Sequence, residues 1–297
     1  MPAHVEIAVE HARDRRGLVE TVAEEARRAW SRVNPNRITT SWIAQLAPLL
    51  TVLTGAQRVA ASEADLYLDD VLDAQGISPT AQARTVPAAL AGTASDGRAL
   101  DSLLYRPAVS ALDLISRGTP VQESLASGAF VLDMIVRTQV ADAGRVADLV
   151  ATTARTQATG YVRMLVGRSC ARCVILAGRW YRYNAGFNRH PKCDCVGIPG
   201  REDTAGDSRT DPEAYFRSLS QPEQDRIFGK AGAEVIRSGA DLTRVVNARR
   251  GIYTADGRLF THEAAGRRPR LMPEQILRDA TDRQDALRLL KLHGYLR

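Results

Sequence analysis

Four cysteines and a histidine fall within 26 residues of this 297-residue chain, in the stretch CARCVILAGRWYRYNAGFNRHPKCDC from Cys170 to Cys195. Thiolates and imidazoles are the preferred ligands of zinc, and Cys170-Ala-Arg-Cys173 lets two sulfurs reach one metal from a single turn. His190-Pro-Lys-Cys193-Asp-Cys195 can supply the return half across 16 intervening residues. Five candidates then compete for four tetrahedral positions: Cys170, Cys173 and His190, with one or both of Cys193 and Cys195. In an extended strand Cys193 and Cys195 point to opposite faces, so both can ligate one ion only if the backbone turns there. Trp180, Tyr181, Tyr183 and Phe187 offer a small aromatic core around such a knuckle.

Three other chemistries suit the same residues. Disulfides fit an oxidising compartment or an extracellular particle, and buried free thiols need no partner at all. A redox CxxC wants a strand before it and a helix after it, whereas Arg179-Trp180-Tyr181 followed by Asn184-Ala-Gly186 reads as a turn between short strands. Elsewhere the chain shows no GxSxG, HExxH, P-loop or dinucleotide fingerprint. His4, His11, His262 and His293 are scattered and read as surface or cap residues, and Asp69-Asp70 reads as a solvated helix face. The expectation is a protein without catalytic activity.

Composition is that of a soluble globular chain, 44% hydrophobic and 25% charged, with a net charge of +6. Residues 1–165 carry 16 Lys+Arg against 18 Asp+Glu, and residues 166–297 carry 24 against 16, so the basic excess is C-terminal. Such a half favours nucleic acid or an acidic protein surface. Only three of the 40 cations are lysine (Lys192, Lys230, Lys291), a bias that a GC-rich genome also produces. There is no uninterrupted apolar run of membrane-spanning length and no apolar leader, so a soluble, intracellular protein without a membrane partner is expected.

The elements that must position the cysteines read mainly as helix. Apolar residues at helical spacing predict a helix over 5–32, with Gly17 a point of interruption, and a second from Thr39–Ser41 through Leu72 with Pro48 inside it. Glu63, Asp65, Asp69 and Asp70 fall on the exposed face of the second, which Gly76 closes. Residues 77–104 read as loops and short helices, and Pro107 starts another short helix. Thr119 as cap, Pro120 at the first position and Glu123 in the first turn open a long helix that runs as far as Leu165. Gly128, Gly144 and Gly160 suit close packing against another helix or another subunit. Ser220-Gln-Pro-Glu223 is a capping box, and Leu242–Arg250 is a shorter helix. Ile252-Tyr253-Thr254 and Arg258–Thr261 flank an Asp256-Gly257 turn as a hairpin. Arg267, Arg268 and Arg270 form a basic connector, and Pro273 opens a final amphipathic helix ending near His293-Gly294. The fold class is mainly α: a long-helix bundle over 1–119, a long helix with a small α+β Cys/His knuckle over 120–210, and a helical C-terminal region with a β-hairpin over 211–297.

Arg155-Thr156-Gln157 at the end of a helix, Cys170-Ala-Arg-Cys173, the Leu176-Ala-Gly178 turn with its aromatic strand, and His190-Pro-Lys-Cys193-Asp-Cys195 together resemble the Mu F-like minor head proteins of tailed bacteriophages. The chain departs from that pattern at Asp194, where arginine is usual, and at Gln157, where an acid is common. Phe228 to Gly251 and Arg270 to Tyr295 are similar to the versions found in phages of actinobacteria, and the likeness covers residues 120–297. The resemblance implies a minor capsid protein made beside the portal and scaffold genes in the host cytoplasm. It would reside at the portal vertex or capsid interior and act in head morphogenesis and DNA packaging or delivery. Portal or major capsid protein would be its partner, with non-specific contact to packaged DNA and self-association as further expectations. The rival readings are a zinc-containing nucleic-acid-binding protein and a toxin- or protease-linked enzyme of the same family.

Overall fold

The computed structural model describes residues 2–167, 169–185, 195–204, 210–249, 252–255, 258–261, 270–271, 273–293 and 296. Contacts divide the chain into two compact units. The first comprises Met1–Val166 and Trp180–Ser208, and the second Gly167–Arg179 and Arg209–Arg297.

The first unit is built on three long helices, α1 (Ala3–Trp30), α2 (Ile38–Ser62) and α6 (Val121–Thr153), with α3 (Ala64–Asp73), α4 (Leu100–Leu104) and α5 (Arg106–Ser116) around them. Gly17 does not interrupt α1. Its solvent side is open, and the helix continues on the packing of Ala8, Val19, Val22 and Ala26. Between α2 and α3 the chain breaks only at Glu63. Pro48 is accommodated inside α2, and Gly76, at φ +68°, ends the run as expected. Residues 77–104 carry a single 3₁₀ turn, Pro87–Leu90, before α4.

Trp30 and Trp42 anchor the core, meeting edge to face at 4.8 Å. Each indole N–H donates to a carbonyl across the bundle, Trp42 to Leu104 at 2.7 Å and Trp30 to Leu125 at 3.0 Å. Buried indole nitrogens need such partners, and these two tie α1 to α6 and α2 to α4. Gly128 makes room for them, because a Cβ there would lie 2.5 Å from the Trp30 ring and 2.9 Å from the Pro107 carbonyl.

α6 starts one residue later than expected, with Pro120 as the flanking residue and no side chain capping it. It ends at Thr153 instead of reaching Leu165. The chain turns at residues 154–159 and enters a strand, β1 (Gly160–Met164), every residue of which is buried. Both faces of β1 are covered and even Arg163 is buried, so Gly160–Met164 shows no alternation of apolar and polar residues to set it apart from the helix before it. β1 is the middle of an antiparallel sheet of order β2-β1-β3, between β2 (Trp180–Arg182) and β3 (Val196–Gly200). Val162 faces Trp180 on one side and Ile198 on the other. Gly160 has no room for a side chain against the Tyr181 carbonyl, and Gly144 lies against the Arg15 guanidinium. The close packing at Gly128, Gly144 and Gly160 is therefore within the chain.

The second unit holds α7 (Ala171–Leu176), α8 (Pro212–Ser218), α9 (Gln221–Phe228), α10 (Lys230–Arg237), α11 (Leu242–Ala248), α12 (Pro273–Asp279) and α13 (Arg283–Leu292). The capping box at Ser220 and Glu223 forms, and Asp241 and Asp282 cap α11 and α13. Val235, Val245, Ala248, Ile276 and Leu290 make its core. The hairpin pairs β4 (Ile252–Ala255) with β5 (Arg258–Thr261), and a third strand, β6 (Arg270–Leu271), adds to β5. The Asp256-Gly257 turn, Arg267, Arg268, His262 and Gly294 lie outside the described residues. The molecule is mainly helical with small antiparallel sheets, as the sequence predicted.

Candidate functional site

Cys170 and Cys173 belong to α7. Cys170 is the flanking residue at its N-terminus and is exposed, and Cys173 is buried one turn on. Their sulfurs are 3.6 Å apart. Two thiolates on one tetrahedral zinc, each at about 2.3 Å, lie about 3.8 Å apart, so this half of a knuckle is already at ligand spacing. Downstream, the Leu176-Ala-Gly178 turn needs its glycine: Gly178 has φ +68°, and a side chain would collide with the Thr210 carbonyl.

Of the expected pair of strands around a turn, the first is β2, and Gly186, Phe187 and the run to Asp194 lie outside the described residues. A helix, α7, follows Cys170 directly, and the aromatic segment forms one strand, β2, whose partner is β1. Cys195 is buried immediately before β3 and belongs to the first unit, whereas Cys170 and Cys173 belong to the second. His190, Cys193 and Asp194 lie outside the described residues. Among the described residues no three His, Cys, Asp or Glu side chains are grouped as a metal site.

Inside the first unit, Cys195 lines a cavity of about 420 Å³ together with Ala12, Arg15, Arg16, Arg137 and Arg145. Its backbone carbonyl accepts from Arg145 Nε at 3.3 Å. The arginines are matched by carboxylates: Arg145 with Asp142 at 3.1 Å, Arg137 with Glu20 at 2.8 Å and with Asp133 at 2.8 Å, and Arg15 with Asp148 at 2.8 and 3.0 Å. Arg16 donates to the Val166 carbonyl. The Arg15–Asp148 and Arg137–Glu20 pairs fix α1 to α6, and the charges of these four arginines and four carboxylates cancel.

The Arg15–Asp148 pair is buried. Burial opposes ionisation of Asp148, yet Arg15 and His11 hold its carboxyl well below the usual carboxylate range, while Asp148 outweighs burial and raises Arg15. His11 Nε2 stands 2.6 Å from the Arg15 guanidinium and 3.3 Å from Asp148, with its ring stacked on Tyr67 at 3.9 Å. Burial pushes the Tyr67 phenol well up, and its hydroxyl donates to the Gly197 carbonyl at 2.8 Å. His4 and His11 are thus core residues instead of surface ones.

Arg155 is completely buried and uses all five N–H donors: Asp69 twice, at 2.5 and 3.1 Å, Asp65 Oδ1 at 3.0 Å, the Asp65 carbonyl at 3.1 Å and the Ala151 carbonyl at 2.9 Å. Burial would raise the Asp69 carboxyl, but bonds from Arg84 and Arg155 lower it. Asp65 and Asp69 therefore clamp α3 to the end of α6 and do not form a solvated face, leaving only Asp70 exposed.

A family model, that of the VG15 protein, matches residues 4–221, nearly three quarters of the chain, from the start of α1 to the first residue of α9. The chain belongs to the VG15 protein family. VG15 proteins are virion-gene-like proteins of phages, which makes this a phage protein. The match takes in the Arg155 clamp, the Arg15–Asp148 pair, Cys170, Cys173 and Cys195 alike. No characterised protein and no solved structure matches the chain.

Charge separates along the same division as the contacts. The first unit carries 20 Lys+Arg against 22 Asp+Glu and the second 20 against 12, so the whole basic excess of this VG15 protein belongs to the second unit.

Proposed function

We propose that this VG15 protein is a minor capsid component of a tailed-phage head, of the Mu F-like kind. It would be held at the portal vertex or on the capsid interior through portal or major capsid protein, and act in head morphogenesis and DNA packaging or delivery without catalysing a reaction. The observation that carries the reading is the VG15 match over residues 4–221, combined with the Arg155, CxxC and Gly178 features that the family resemblance singled out. All three are structural: Arg155 clamps two helices, Gly178 makes a turn that only glycine allows, and the thiol pair sits at ligand spacing. The surplus of eight positive charges on the second unit suits non-specific contact with packaged DNA.

In this reading Cys170 and Cys173 hold one zinc ion, with His190 and one or both of Cys193 and Cys195 as the other ligands. Bound zinc would act as a structural clip. Elemental analysis of reduced, chelator-free protein should give about one zinc per chain, lost in Cys170→Ser and Cys173→Ser. Protein that stays metal-free, or a Cys170–Cys173 disulfide in freshly isolated particles, would remove the metal from the proposal. For the assembly role, tagged protein should capture portal or major capsid protein from infected cells, and phage lacking the gene should yield defective or non-infectious heads. An empty pull-down together with fully infective mutant phage would overturn it.

A further inference from the structure

α2 carries no Asp, Glu, Lys or Arg from Ile38 through Gln57, twenty residues in all. One face of it is accounted for, because Trp42, Leu49, Leu53, Ala56 and Ala60 are buried in the bundle. The opposite face is exposed along its length, with Ala44, Ala47, Thr51, Gly55 and Arg58 all facing solvent. Ile43, Val52 and Val59 retain 49%, 40% and 48% of their surface, and Leu66 of α3 extends the stripe. The segment Ile38–Asp73 is long and apolar enough to cross a bilayer, yet only 22% of its most apolar window is buried. Gly55 sharpens the point. A glycine inside an exposed helix costs about 1 kcal/mol relative to alanine, and nothing within the chain lies within 4 Å of where its Cβ would be. It has no use in the folded monomer.

We propose that this face is an interface with a second copy of the chain, two α2 helices packing antiparallel about a twofold axis at Thr51. In that arrangement residue numbers on the two helices sum to 102, and the facing residues are compatible. Gly55 meets Ala47, so the backbones can approach closely. Ile43 and Val59 lie about 80° to either side of Thr51, so at each end of the contact they form its two apolar edges. Arg58, the only exposed charge on the α2 part of the stripe, meets Ala44 instead of its own copy, and its aliphatic stem can lie over that small residue while the guanidinium stays in water. The α2 part of the face, Ile38–Ser62, has no acid and no exposed cation but Arg58, so it presents no like charges to itself across a twofold, the condition an isologous contact must meet. The stripe from Ile38 to Leu66 is about 43 Å long. At a width of about 12 Å it covers about 500 Å² per copy, about 1,000 Å² in total, the lower bound for a specific interface. A bilayer is the poorer occupant, since interfacial helices carry a lysine and arginine rim with aromatic anchors, and this face has one arginine and no aromatic residue.

The test is sedimentation velocity of the full-length reduced protein from about 1 to 200 μM, a range that brackets a dimer of micromolar affinity. The wild type should pass from monomer to dimer within it. Val52→Glu/Val59→Glu should weaken association at least 100-fold. Gly55→Leu is the stricter variant, because the open space leaves the monomer unstrained and leucine favours helix. It should abolish the dimer while thermal stability stays equal or rises. A wild type that remains monomeric throughout, or a Gly55→Leu protein that dimerises as the wild type does, overturns the proposal. Wild-type monomer that co-sediments with phosphatidylcholine vesicles overturns it in favour of a lipid surface.

Discussion

The Arg15–Asp148 pair offers the sharpest test of how the first unit is held together. Asp148→Ala removes the carboxylate that accepts both terminal nitrogens of a guanidinium only 6% exposed, leaving it with the His11 ring. The Arg15 Nε already has no acceptor, and the other carboxylate acting on Arg15 is Glu63, whose buried Oε2 makes no hydrogen bond to it. Breaking a buried pair by deleting one member costs about 3–5 kcal/mol, because the surviving charge stays buried. All three tryptophans, Trp30, Trp42 and Trp180, lie in the first unit, so tryptophan fluorescence in guanidinium chloride follows that unit alone. With a denaturant slope of about 4 kcal/mol/M, the midpoint should fall by about 1 M. The double change Arg15→Met/Asp148→Leu should regain most of the loss, since apolar replacements of a buried pair are often neutral. Asp148 is depressed in the folded state, so its contribution is complete above the ordinary carboxylate value of about 4 and is lost as pH falls below it. The wild type should therefore destabilise more steeply than Asp148→Ala on acidification below about pH 4. A single-mutant loss under about 1 kcal/mol, or parallel acid profiles, would refute the claim that this pair fixes α1 to α6.

Two further substitutions probe other joints. Gly128→Ala places a methyl against the Trp30 ring and the Pro107 carbonyl. It should cost about 1–3 kcal/mol by overpacking and shift tryptophan emission to the red as the Trp30 bond to Leu125 loosens, both readable in one thermal melt followed by fluorescence. Arg155→Lys keeps the charge but not the five-donor fork, and the loss of bonds to Asp65 and Asp69 should cost about 2 kcal/mol or more by chemical denaturation. Arg84→Lys, on the exposed side of the same two acids, should leave the midpoint unchanged.

Helix periodicity in the sequence was enough to place α1, α2, α5 and α6, and the turn chemistry placed the capping box at Ser220 and the β4–β5 pairing. The end of α6 is not legible because β1 is buried on both faces, Arg163 included, so five residues show no period that distinguishes strand from helix. The ion pairs were missed for a different reason. His4, His11 and Arg15 occupy the same helical phase as Ala8, Val19, Val22 and Ala26, so their burial was written in the spacing. Residue type suggested solvent and phase suggested core, and phase was the better guide because Asp148 waited across the interface. Asp65 and Asp69 repeat the lesson, since their partner Arg155 stands 86 to 90 positions away and no local pattern announces it. The CxxC pair was legible as a chemical motif, but its setting at the start of a helix was not, because six residues are too few to show a period.

The order in which the chain visits its two units constrains how it can be made and cut. It passes from the first to the second at Val166, returns at Trp180 and leaves again after Ser208. Neither unit is one continuous stretch: a single cut after Ser208 frees the first unit only with Gly167–Arg179 of the second attached, and a single cut after Val166 frees the second only with Trp180–Ser208 of the first attached. On the ribosome, β1 emerges without either neighbour and waits for β2 and then β3, while α7 has already passed and must wait for α8 and α11, its partners in the second unit. A product truncated before residue 200 thus carries a central strand with one unpaired edge. Until residue 200 has been made, about two thirds of the chain, the nascent protein holds a half-formed sheet that can pair with another chain.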